Sequence, residues 1–119
     1  MTDEEYQRTR GALLALPGPV DVTDEQAVRA ELDRLTGEEE ALRAAALRGG
    51  GEEAVAWAGH WKRRAWSTVH LAELRPDFAV DARAAVAAWQ AAEDEVATTF
   101  LGQHLADRTE IWLGEQSDR

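Results

Sequence analysis

The sequence predicts an all-α protein, an antiparallel helical bundle of three long helices with a shorter N-terminal helix laid across it. Apolar residues recur at alternating three- and four-residue spacing over long segments, the signature of amphipathic helices. Alternating apolar and polar runs are absent, and the one β-rich fragment, Pro19-Val20-Asp21-Val22, is too short to pair usefully. Breakers at Pro17-Gly18-Pro19, Gly49-Gly50-Gly51 and Arg75-Pro76-Asp77 leave connections of about three to seven residues, a length that suits antiparallel neighbours. At 119 residues the chain fits one domain of ordinary size, 1–119.

The first helix is expected over 3–16. Thr2 and Glu5 have capping-box spacing, and Asp3, Glu4 and Glu5 complement the positive end of a helix dipole. Proline lacks the donor that a further turn needs, so Pro17-Gly18-Pro19 stops this helix. The second helix, 24–48, repeats the device with Thr23 as cap and Gln26 three residues on. Gly37 invites a break, yet Val28, Leu32, Leu35, Leu42 and Ala46 hold one apolar spacing straight through it, which favours a single helix. That spacing also places Glu39 on the apolar seam.

The third helix, 52–74, holds three of the five tryptophans, two of the three histidines and the only lysine. At about 100° per residue, Trp57, Ala58, Trp61, Ala65, Thr68, Val69 and Ala72 share an arc of about 120°, which is expected to face the core. His60, Arg63, Arg64, Ser67 and His70 gather on the other side. Trp66 falls at the far edge of the apolar arc, beside Lys62, and is expected to be the least buried of the three tryptophans. The fourth helix, 79–113, carries Phe78, Ala82, Val86, Trp89, Val96, Phe100 and Ile111 on one stripe, which Glu93 and His104 share. Losing Trp57 or Trp89 is expected to hurt folding more than any surface change, because a buried tryptophan removes about 150–250 Å² from water.

Composition removes whole classes of chemistry. Without cysteine there is no disulfide, thiolate nucleophile or Cys-ligated metal. The acidic start, MTDEEYQRTR, lacks the basic region of a signal peptide, and no apolar run approaches membrane-spanning length, so the expected setting is the cytoplasm, with no membrane contact. The 23 acidic and 13 basic residues give a net charge of −10, which repels nucleic-acid backbones and argues against direct nucleic-acid binding. Such a surface suits a basic protein partner, or imitates nucleic acid towards a protein that binds it.

Three constellations deserve weighing as sites. The strip His60, Arg63, Arg64, Ser67 and His70, with Trp66 at its edge, is the one concentrated basic surface, able to grip carboxylates or a second copy of the chain. The plainer account makes these residues solvated partners of the acidic second helix. His70 with Glu73 and His104 with Asp107 have a spacing that lets both members of a pair reach one ion. Di-iron bundles, however, use Glu-x-x-His, which is absent here, and neither metal nor any other cofactor is expected. Glu39, Glu93 and His104, if turned inward, form a buried polar site; the alternative is a slightly rotated helix that lets Glu93 reach water. No nucleophile elbow or phosphate cradle is present, so no catalytic residue is assigned.

The expected function is therefore a non-catalytic protein–protein interaction module: a self-associating subunit, an adaptor, or an inhibitor or immunity-type protein. The first alternative is a small ligand- or metal-binding bundle, or a minor enzyme, using the inward Glu and His residues. The second is an acidic nucleic-acid mimic.

Overall fold

The computed structural model describes the backbone of residues 2–46 and 53–117 and the side chains of residues 2–46 and 54–98. The protein is all-α. Its helices are α1 (Asp3–Ala15), α2 (Glu25–Ala46), α3 (Glu53–Leu74) and α4 (Ala79–Ser117), with a 3-10 turn at Pro76–Phe78, and there is no strand among the described residues. The triple glycine and the expected end of the second helix lie outside the described residues.

Local rules account for the helix starts. Thr2 caps α1 through a capping box, its Oγ1 accepting from the Glu5 amide while its own amide donates to Glu5 Oε2, both at 3.2 Å. At α2 the cap is Asp24 rather than Thr23. Asp24 Oδ1 accepts from the amides of Gln26 at 3.0 Å and Ala27 at 3.4 Å. Thr23 is occupied elsewhere, donating through its amide at 2.9 Å and its hydroxyl at 2.6 Å to Asp21 Oδ1. These bonds hold the Asp21 carboxyl below its ordinary value. α2 passes Gly37 without interruption.

α3 is the middle of the antiparallel bundle. α2 and α4 each pack along it and α1 crosses both α3 and α4, whereas neither α1 nor α4 packs along α2 among the described residues. One core cluster joins α1, α3 and α4 through Tyr6, Leu13, Ala65, Trp66, Val69, Ala82, Ala85 and Val86. On the other side of α3, Val28 and Leu35 of α2 are wholly buried. Since α3 is the helix that α2 packs along, their burial is against α3.

This layering changes the expected burial of α3. At about 100° per residue, His60, Ser67 and Leu71 fall within about 40° of one another, well away from the arc of Ala58, Ala65 and Val69. Both sets are buried. Trp66 and His70 form a third buried direction, towards α1. A helix enclosed on several sides has no single apolar stripe for a wheel to find. Trp57 and Trp61 are half-buried, and Trp66, expected to be the least buried of the three, is the most buried at 5% exposed.

Ion pairs lock α2 to α3. Arg63 Nη2 bonds to Glu38, Arg64 Nη1 donates to Glu39 Oε2 at 3.1 Å, and Arg75 bonds to Glu25. Elsewhere Arg83 reaches Asp3 and Arg10 reaches Glu73. Several of these pairs are exposed and contribute little individually, but they fix which helix faces which.

Candidate functional site

The stretch singled out by the sequence resolves into two environments. In the first, towards the N-terminal half of α3, His60 is fully buried. Its ring meets Trp57 at 5.6 Å and Trp61 at 5.5 Å between centroids, both edge-on. Glu38 Oε1 stands 3.5 Å from Nδ1, but Arg63 already bonds that oxygen, and neither ring nitrogen of His60 has a hydrogen-bond partner. Burial holds the imidazole below its ordinary value, opposed by the negative charge of Glu38. Arg64 lies over the Trp61 ring at 5.6 Å while it holds Glu39.

The second environment is where α1 ends against α3. The last carbonyls of a helix have no partner within it. Here Trp66 Nε1 donates to the Leu16 carbonyl at 2.9 Å, and His70, one turn further along α3, bonds to the Leu13 backbone. The two rings lie 4.6 Å apart between centroids, tilted by 58°. Burial lowers the His70 pKa, opposed by the bond to Leu13. Pro17-Gly18-Pro19 then turns over the indole so closely that a Cβ on Gly18 would overlap its benzo ring. Glycine is required there by the approach, not by backbone angle.

Between this turn, α2 and α3 lies a cavity of about 310 Å³. Leu13, Leu16 and Trp66 supply much of its apolar lining, Ser67 and Glu31 come from the α3 and α2 sides, and Lys62 and Arg63 stand among the lining residues as its cations. Glu31 is buried but satisfied, accepting from Arg34 Nε at 3.0 Å and Nη2 at 2.5 Å. Ser67 is fully buried and its Oγ has no hydrogen-bond partner.

The basic strip is therefore not a free surface. His60, Ser67 and His70 are inside, Trp66 is under the turn, and Arg63 and Arg64 are spent on Glu38 and Glu39 of α2. Histidine and serine are neutral at low cost, so the fold can bury them where it could not bury Lys62. The inward polar site is not assembled either. Glu39 lies at the α2–α3 boundary in ion pairs with Arg43 and Arg64, and Glu93 is exposed on α4, accepting from Trp89 Nε1 at 3.0 Å. By helix geometry position 93 shares the direction of Ala82 and Val86, yet those two are buried and Glu93 is exposed. The side chain of His104 lies outside the described residues.

Sequence reading passed over Glu31, the one buried carboxylate among the described residues. Its signal was available: Glu31 lies three residues before Arg34 and one turn after Val28, on the true seam of Val28, Glu31 and Leu35. Among the described residues no group of three or more histidine, aspartate or glutamate side chains is placed to hold a metal ion, and no helix is long and apolar enough to cross a membrane. No protein-family model, curated protein or solved structure matches the chain.

Proposed function

We propose that the protein is a non-catalytic interaction module that self-associates through the C-terminal part of α4. The observation that carries this reading is a mismatch of lengths. α4 has 39 residues and α3, the long helix it packs along, has 22. At 1.5 Å per residue, about 25 Å of α4 has no counterpart in α3. α2 is also 22 residues long and, among the described residues, does not pack along α4.

The sequence of that extension is amphipathic. Positions Leu101, Leu105 and Trp112 fall within about 40° on a helix, with Phe100 and Ile111 on the adjoining arc. A second copy brings the same arc, so two extensions laid antiparallel about a two-fold axis are complementary by construction. The nucleic-acid mimic has less in its favour, because Asp3, Glu4, Glu25, Glu31, Glu38, Glu39 and Glu73 are drawn into ion pairs within the chain.

The test is light scattering coupled to size exclusion, with sedimentation, on the intact chain and on the double variant Leu101→Glu, Trp112→Glu. The expected result is a concentration-dependent dimer that the variant dissociates with its helical content retained. A monomer at millimolar concentration, or a dimer indifferent to the variant, removes the reading.

A further inference from the structure

We propose that the cavity over Trp66 and Ser67 binds a small monocarboxylate whose apolar, aromatic body carries one hydrogen-bonding oxygen. Among the described residues α1 and α2 both pack on α3 but not on each other, so a seam is left between them, and residues 16–19 cross over it. The resulting space, about 310 Å³, has the size and largely apolar lining of a small-molecule site. Two features mark it as more than imperfect packing.

The first is Ser67, whose hydroxyl is withdrawn from water without any bond in return. Neighbouring Thr68 shows the ordinary solution, since its hydroxyl donates to the Arg64 carbonyl one turn back at 2.6 Å. Ser67, on the side towards the cavity, makes no such bond, and an oxygen on a bound molecule would satisfy it.

The second is Lys62. Nine arginines of this chain are held in ion pairs, including Arg63 beside the cavity. Lys62 lines the same space, is exposed, and has no ion-pair or hydrogen-bond partner among the described residues. In a chain of net charge −10 an unclaimed cation is unusual. Glu31, the acid of the cavity, is neutralised by Arg34 and does not compete for it. A carboxylate on Lys62 leaves the body of the ligand against the indole of Trp66, which stands one turn along the same helix face, with Leu13 and Leu16 opposite.

The experiment titrates 4-hydroxyphenylacetate, phenylacetate and 4-hydroxyphenylacetamide into the intact chain, following the Trp66 indole N–H resonance and, separately, heat. The first compound is expected to bind saturably, about tenfold more tightly than the other two, because phenylacetate lacks the hydroxyl and the amide lacks the negative charge. Lys62→Gln, at an exposed position, is expected to abolish the preference for acid over amide while keeping the preference for the hydroxyl. Ser67→Ala is expected to do the reverse. Absence of a saturable Trp66 shift with all three compounds overturns the proposal, as does equal binding of acid and amide, or variants that leave both preferences unchanged.

Discussion

Trp66 of α3 carries the end of α1: its indole N–H donates to the Leu16 carbonyl at 2.9 Å, and Gly18, two residues beyond Leu16, lies against the face of the same ring with no room for a Cβ. One side chain thus satisfies an orphan carbonyl and shapes the turn that leads the chain from α1 to α2. Trp66 and Gly18 also line the cavity beside Ser67.

That contact predicts a coupled pair of substitutions. Gly18→Ala forces the turn off the indole and is expected to destabilise the fold by about 1–3 kcal/mol, as overpacking does. In a Trp66→Ala background most of that cost disappears, because the atoms the new methyl would meet are gone. Urea denaturation of the two single variants and the double variant measures the coupling. Additive effects would show that the turn does not bear on Trp66.

The hydrogen bond is separable from the packing. Trp66→Phe keeps an aromatic ring under the turn but strands the Leu16 carbonyl, with an expected loss of about 1–3 kcal/mol. Amide hydrogen exchange should localise the effect to the last turn of α1 and leave α2 protected. A loss spread evenly over all helices would contradict the assignment of this bond to α1.

Acid should weaken the protein before its carboxylates titrate. Burial depresses both His60 and His70 below 6.5, so as pH falls the unfolded chain takes up the protons first. Their neutral forms contribute stability that is complete above about pH 6.5 and is withdrawn progressively below it. Unfolding free energy is expected to drop as pH falls below about 6.5, and His60→Gln, which cannot titrate, to reduce that drop. An unchanged pH dependence in this variant would mean that His60 is not a source of it.

The order of core sensitivities also differs from the tryptophan count. Leu13 is wholly buried between α1 and α3, and Leu13→Ala is expected to cost about 2–5 kcal/mol. Trp57 is half-buried at the α3 surface, so Trp57→Ala is expected to cost less than Leu13→Ala despite removing a larger side chain. Chemical denaturation of the two variants under one set of conditions decides the order.

Removing the stranded hydroxyl should have the opposite sign. Ser67→Ala deletes a buried donor that has no bond to lose, and is expected to stabilise the unliganded protein by about 1 kcal/mol. A destabilised variant would mean that Ser67 holds a hydrogen bond after all.

By itself the sequence determined the helices, because their causes are local. Thr2 and Glu5 are three residues apart, Pro17 cannot continue a helix, and the apolar spacing of α2 outweighs Gly37 within a single segment. Asp24 displaced Thr23 as a cap for an equally local reason, the competing bonds to Asp21. What the tertiary structure alone decided is which faces of α3 are inside. A wheel assumes one core and one solvent side, and α3 has α2, α4 and α1 around it. The strip His60, Ser67 and His70 consequently became an internal seam, because neutral polar side chains can be buried when a neighbouring helix covers them. The cavity follows from the same packing: it exists where α1 and α2 both settle on α3 without meeting each other among the described residues, and residues 16–19 turn over Trp66.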